Sequence, residues 1–156
     1  MDKEKEIKEA KAAAVEVLLR IDEAVKSLKD ASSMSVWDML GGGSFFSVIK
    51  RKHMQEANLN IKEASIYLKC LNEELDDIGM KLPKEISDTM SDNVMDIYFD
   101  NIFTDIRVAG EIKEKLDELK SFRTSIENLI IKLDAELDIA DDIMDKYDDA
   151  FKELSK

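Results

Sequence analysis

Proline, cysteine, histidine and tryptophan each occur once in 156 residues, and glycine occurs five times. A β-rich domain needs many turns, and turns lean on glycine, proline and asparagine. So little punctuation points instead to long helices. One cysteine cannot form an internal disulfide, so nothing asks for an oxidising compartment. No run approaches the roughly 18 apolar residues of a membrane span. The charged start Met1–Lys8 is followed by no apolar stretch of the signal-peptide kind. A cytoplasmic setting is the expectation. Basic residues are also short, at 23 against 35 acidic ones, giving a formal net charge of −12. That balance argues against nucleic acid, whose phosphates need a cationic face. It argues equally against a broad anionic membrane surface.

What is present is hydrophobic periodicity. Hydrophobic residues are 44% and charged residues 37% of the chain, which suits a single core-bearing domain over 1–156 rather than a disordered tail. Ile7, Ala10, Ala14, Val17, Ile21, Ala24, Leu28 and Ala31 alternate steps of three and four, a heptad seam on one helix face. Leu18 and Val25 widen it toward a bundle face. A second seam runs Met54, Ala57, Ile61, Ala64, Leu68, Leu71, Leu75 and Ile78. The third runs Leu116, Leu119, Arg123, Ile126, Ile130, Leu133, Leu137, Ala140, Met144, Tyr147, Phe151 and Leu154. Its one polar member, Arg123, reads as a side chain snorkelling at the seam edge in preference to a buried register-setting charge.

Gly41-Gly42-Gly43 must break a helix, and Ser44 is suited to cap the next one. The stretch from Gly79 to Ser91, with Pro83, is a second break. Ser91 then opens a short helix carrying Met95, Tyr98, Phe99, Ile102 and Phe103, with Thr104, Asp105 or Gly110 marking its end. A continuous helix from Ser91 to Lys156 would approach about 100 Å, twice the roughly 50 Å of the others. A turn near 104–110 avoids that overhang. The expected fold is therefore all-α: an antiparallel bundle of three long coiled-coil-like helices plus one short helix. The alternative is a three-helix bundle whose carboxyl-terminal helix protrudes and pairs with another chain.

One corner departs from ordinary loop composition. Residues 36–49 read V-W-D-M-L-G-G-G-S-F-F-S-V-I, with Trp37, Phe45, Phe46 and a single charge, Asp38. Lys50, Arg51, Lys52 and His53 follow. An apolar corner needs a cover, a ligand or a membrane. Met95–Ile106 offers a cover, with Asp96, Asp100 and Asp105 available to the basic run. The W-D-M-L-G-G-G of Trp37–Gly43, the pair Lys52-His53 and the F-D-N-I-F-T-D of Phe99–Asp105 together resemble a family of bacterial proteins predicted to be helical or coiled-coil. The resemblance covers roughly 36–106. That family's pattern has Trp after the last Asp, where this chain has Ile106. It implies a bacterial helical module and supplies no substrate, cofactor or catalytic residue.

The residues raise several kinds of chemistry. The glycines and Ser44 leading into a helix, with Lys50 and Arg51 within two turns, form a candidate anion site, but no Gly-Lys-Ser/Thr follows a strand. A carboxylate–imidazole metal cluster around His53 is disfavoured, since di-iron bundles need two Glu-x-x-His motifs and the chain has one histidine. His53 is expected instead to hydrogen-bond a carboxylate or carbonyl. Cys70 lies off the seam with no second histidine to activate it, so no nucleophile is expected. The carboxylates of 131–156, nine acidic against four basic residues, lack a D-x-D-x-D-G calcium loop and read as a solvated face. No cofactor, metal or catalytic residue is expected. The leading function is a non-enzymatic module binding another protein or a second copy of itself. An anion or phosphorylated-ligand sensor at Gly41–Lys52 comes second. Membrane contact through Phe45–Phe46 is the weaker third.

Overall fold

A computed structural model describes residues 2–39, 43–87 and 111–154. The described chain is all helix and connection, without a strand. Helix α1 spans Lys3–Met39, α2 spans Gly43–Asp77, α3 is the single turn Lys84–Ser87, and α4 spans Glu111–Leu154. The expected all-α bundle is what forms.

Each seam becomes a buried face. All eight named members of the first seam are at most 1% exposed, and Val25 joins them. The second seam is buried from Met54 through Leu75. Ala10, Ala14, Ala24 and Ala31 on α1, with Ala57 and Ala64 on α2, let the two backbones approach, while Ile61, Leu68 and Leu71 fill the spaces between. Glu4 and Glu6 in the first turn of α1 complement the positive end of its dipole.

Ion pairs give the directions. Arg20 Nη1 meets Glu63 Oε2 at 3.0 Å, and Glu9 lies beside Glu74, so α1 and α2 run antiparallel. Lys3 pairs with Glu136, Lys11 with Asp134 and Asp22 with Arg123, so α4 is also antiparallel to α1. Helix α1 packs on both neighbours. Helices α2 and α4, both antiparallel to it, consequently run parallel to each other.

The second break is a built structure. Gly79 takes φ of +70°. Its N–H donates to the carbonyl of Asp76 at 3.0 Å, and the Met80 N–H donates to that of Leu75 at 2.8 Å. That pair of bonds is the Schellman ending of a helix, with glycine where the left-handed conformation is required. The chain then turns back. Leu82 and Ile86 are buried, and α3 lies along the Asp117–Ser125 stretch of α4. The predicted break thus contributes core residues that its sequence did not advertise.

Two expectations change. Helix α2 is already helical at Gly43, so Ser44 sits inside its first turn rather than capping it. The third seam loses its cover before it ends: Leu133 is fully buried and Leu137 partly so, but Met144 is 61% exposed. The antiparallel pairs of Asp22 with Arg123 and Lys11 with Asp134, with Lys8 near Asp141, bring the amino terminus of α1 to about residue 142, so the turns of α4 beyond it project past α1, a feature of the alternative fold. The expected short helix from Ser91, and Thr104, Asp105 and Gly110, lie outside the described residues.

Candidate functional site

The glycine corner is only partly within view. Gly41, Gly42, Asp96, Asp100 and Asp105 lie outside the described residues. Trp37 and Asp38 fall on the last turns of α1, and Gly43, Ser44, Phe45 and Phe46 on the first turn of α2, with their side chains outside the description. Lys50, Arg51, Lys52 and His53 follow on α2. Arg51 and Lys52 are exposed. His53 packs beside the buried Met54, its Nδ1 3.5 Å from Glu56 Oε2 one turn on. That Nδ1 is buried and makes no hydrogen bond among the described residues. The i to i+3 spacing brings the two groups near without aligning them.

Register across helices creates two clusters that a reading of single strips misses. In the first, Glu6 and Glu9 of α1 meet Glu74 of α2, with carboxylate oxygens within 4.8 Å of one another. Partial burial, then the charges of Glu9, Asp77, Glu6 and Glu73, push the Glu74 carboxyl above its ordinary range. Lys5 sits against Glu9 at 3.4 Å and relieves part of that repulsion. In the second, Arg123 donates to Asp22 of α1 and, at 2.6 Å, to Glu127 one turn along α4. Asp22 and then Glu127 hold its guanidinium firmly charged. Its side chain is 35% exposed, so it snorkels as expected and also ties α1 to α4.

Cys70 is exposed on α2. Desolvation, then Glu74 and Glu73, raise its thiol pKa, which leaves little thiolate at neutral pH. A groove of about 470 Å³ between α3 and α4 is lined by Glu85, Ile86, Asp117, Glu118, Ser121, Phe122 and Ser125. At its edge Lys115 is nearly buried and donates to Glu118 at 2.9 Å. No nucleophile–base pair emerges among the described residues. No helix there is long and apolar enough to cross a membrane.

The most distinctive surface is the projecting end of α4. Ile139 is 55% exposed and, with Ile143 and Met144, opens an apolar arc on the helix. Spacing by three and four carries the same arc through positions 147, 150, 151 and 154. The opposite arc is acidic: Asp141–Leu154 holds six acidic residues against two basic ones, a net charge of −4. Of this surface the third seam held Met144, while Ile139 and Ile143 lie beside that row. Finding it required knowing where α1 ends beside it.

Comparison with protein-family models, with curated proteins and with solved structures finds no match.

Proposed function

We propose that this chain is a non-enzymatic helical interaction module, engaging another protein through helix surfaces rather than transforming a small molecule. The observation that carries the reading is the uncovered apolar arc of α4 at Ile139, Ile143 and Met144. Isolated exposed apolar residues are ordinary, but a contiguous arc with a polar rim marks an interaction surface. The buried cluster of α1, α2 and the first half of α4 anchors the helix that carries this surface. The reading includes a cytoplasmic setting, for which the lone exposed Cys70 is the ground. It also takes the Trp37–Gly43 and Phe99–Asp105 motifs as marks of a bacterial helical family.

A photo-crosslinking amino acid at position 143, with position 59 on the exposed face of α2 as comparison, tests the reading in the native cell. A discrete adduct at 143 and none at 59 is the expected result. Monomeric chain without adducts at either position, or turnover of a small molecule by the pure protein, overturns it.

A further inference from the structure

A second groove, of about 530 Å³, lies between α1 and α4 beside the Asp22–Arg123 pair. Its α1 wall carries Lys26, Lys29 and Asp30, its α4 wall Lys120 and Arg123, and the buried Val25 also lines it. Four cationic side chains thus meet two carboxylates in a chain whose net charge is −12. The acids do not neutralise the bases. Asp22 is engaged by Arg123, which also donates to Glu127. Lys26, Lys29 and Lys120 are exposed, and no carboxylate of the described residues pairs with them. Lys26 and Lys29 stand one turn apart, where like charges with Cβ atoms about 5–6 Å apart repel. The packing of α4 on α1 brings Lys120 to the same opening. A concave site lined by an excess of one charge focuses its field on a counter-ion. The volume is within the roughly 300–1,000 Å³ of small-molecule sites.

We propose that this α1–α4 groove binds a linear oligophosphate through the ammonium groups of Lys26, Lys29 and Lys120. The inference goes beyond the interaction-module reading and does not rest on it. Lysine binds phosphate as a point charge on a flexible stem, which suits a ligand gripped from two helices. Cationic groups occupy both walls and lie one turn apart along α1. A chain of two or three phosphoryl groups therefore engages more of them at once than a single phosphate does. Asp30 on the same wall repels the anion and limits its affinity. A nucleic-acid strand is a poorer ligand, because the net charge of −12 opposes a long polyanion beyond the groove. Inorganic triphosphate and the phosphate tail of a nucleotide offer the same chemistry, and the test separates them.

The test is titration calorimetry of the full chain with sodium tripolyphosphate, ATP and orthophosphate, in metal-free buffer at two temperatures. Tripolyphosphate binds one to one, about tenfold tighter than orthophosphate in 50 mM NaCl, and weakens about tenfold in 500 mM NaCl. ATP binding as tightly as tripolyphosphate makes a nucleotide tail a source of the ligand. ATP binding about tenfold more weakly restricts the groove to the inorganic ion; both results support an oligophosphate site. Lys26→Gln/Lys29→Gln/Lys120→Gln weakens binding about tenfold while the thermal midpoint stays put, since all three side chains are exposed. Asp30→Asn tightens it about threefold by removing a repulsive charge from the wall. Arg51→Gln/Lys52→Gln on α2 removes exposed positive charge away from the groove and changes binding less than about twofold. Absence of tripolyphosphate binding at both temperatures overturns the proposal. So does equal weakening by the α2 variant, which would mark attraction to positive charge in general, and so does an Asp30→Asn variant that binds no tighter than wild type.

Discussion

Gly79 shows how one residue sets an element. Its φ of +70° suits glycine, and nothing lies within 4 Å of the place a Cβ would occupy. The cost of Gly79→Ala is therefore a backbone cost, about 1 kcal/mol, and lowers the thermal midpoint by about 3 °C. A larger loss would mean that a side-chain clash, not φ, is responsible. Glu74 makes a pH-dependent case. Its carboxyl pKa is raised in the folded protein, so the fold binds a proton more readily than the unfolded chain does. The resulting stability is present below the unfolded value of about 4.5 and is lost as pH rises through the folded pKa. Glu74→Gln should therefore raise the melting temperature at pH 7 by about 1–2 °C and leave it unchanged near pH 3.5. Differential scanning calorimetry at the two pH values checks both halves. A rise of equal size at pH 3.5 would assign the gain to packing instead of charge.

Between residues and fold stand the helices, and here the sequence was informative to different depths. The seams of α1 and α2 were legible because most of what each helix buries falls on one row. The seam of α4 was legible only in part. Phe122 and Leu129 are buried beside Leu119, Ile126 and Leu133 although the single heptad row omits them. Helix α4 faces both α1 and the returning Leu82–Ile86 segment, so two adjacent rows are covered. Leu82 and Ile86 themselves were hidden because a segment with one helical turn is too short to display a period. The Glu6–Glu9–Glu74 cluster was hidden because it depends on the register between two helices. Of the glycine corner, the break between α1 and α2 was legible. The α1–α2 seam makes its own prediction. Leu68→Ala, fully buried, costs about 2–5 kcal/mol, and Ala24→Leu about 1–3 kcal/mol through overpacking. Leu59→Ala, at 59% exposure on the outer face of α2, stays within about 0.5 kcal/mol. Urea titrations of the three variants separate a close alanine-lined contact from a loose one, in which Ala24→Leu would be neutral.

For the molecule as a whole, the scarcity of proline and glycine and the surplus of acid meet in one arrangement. Few breaks give helices of 37, 35 and 44 residues, and the longest has no equal to cover it. The excess length falls where the chain is strongly acidic, so the uncovered apolar arc is backed by like charge on the opposite arc. Burial thus holds one part of α4 in the bundle and leaves the other part available. Amide hydrogen exchange of the full chain alone tests this division most directly, because protection follows packing along a helix. The account predicts slow exchange across Leu119–Leu133, level with the cores of α1 and α2, and exchange faster by orders of magnitude from Ile143 to Leu154. Uniform protection from Glu111 to Leu154 would show that the end of α4 is already covered and would contradict it.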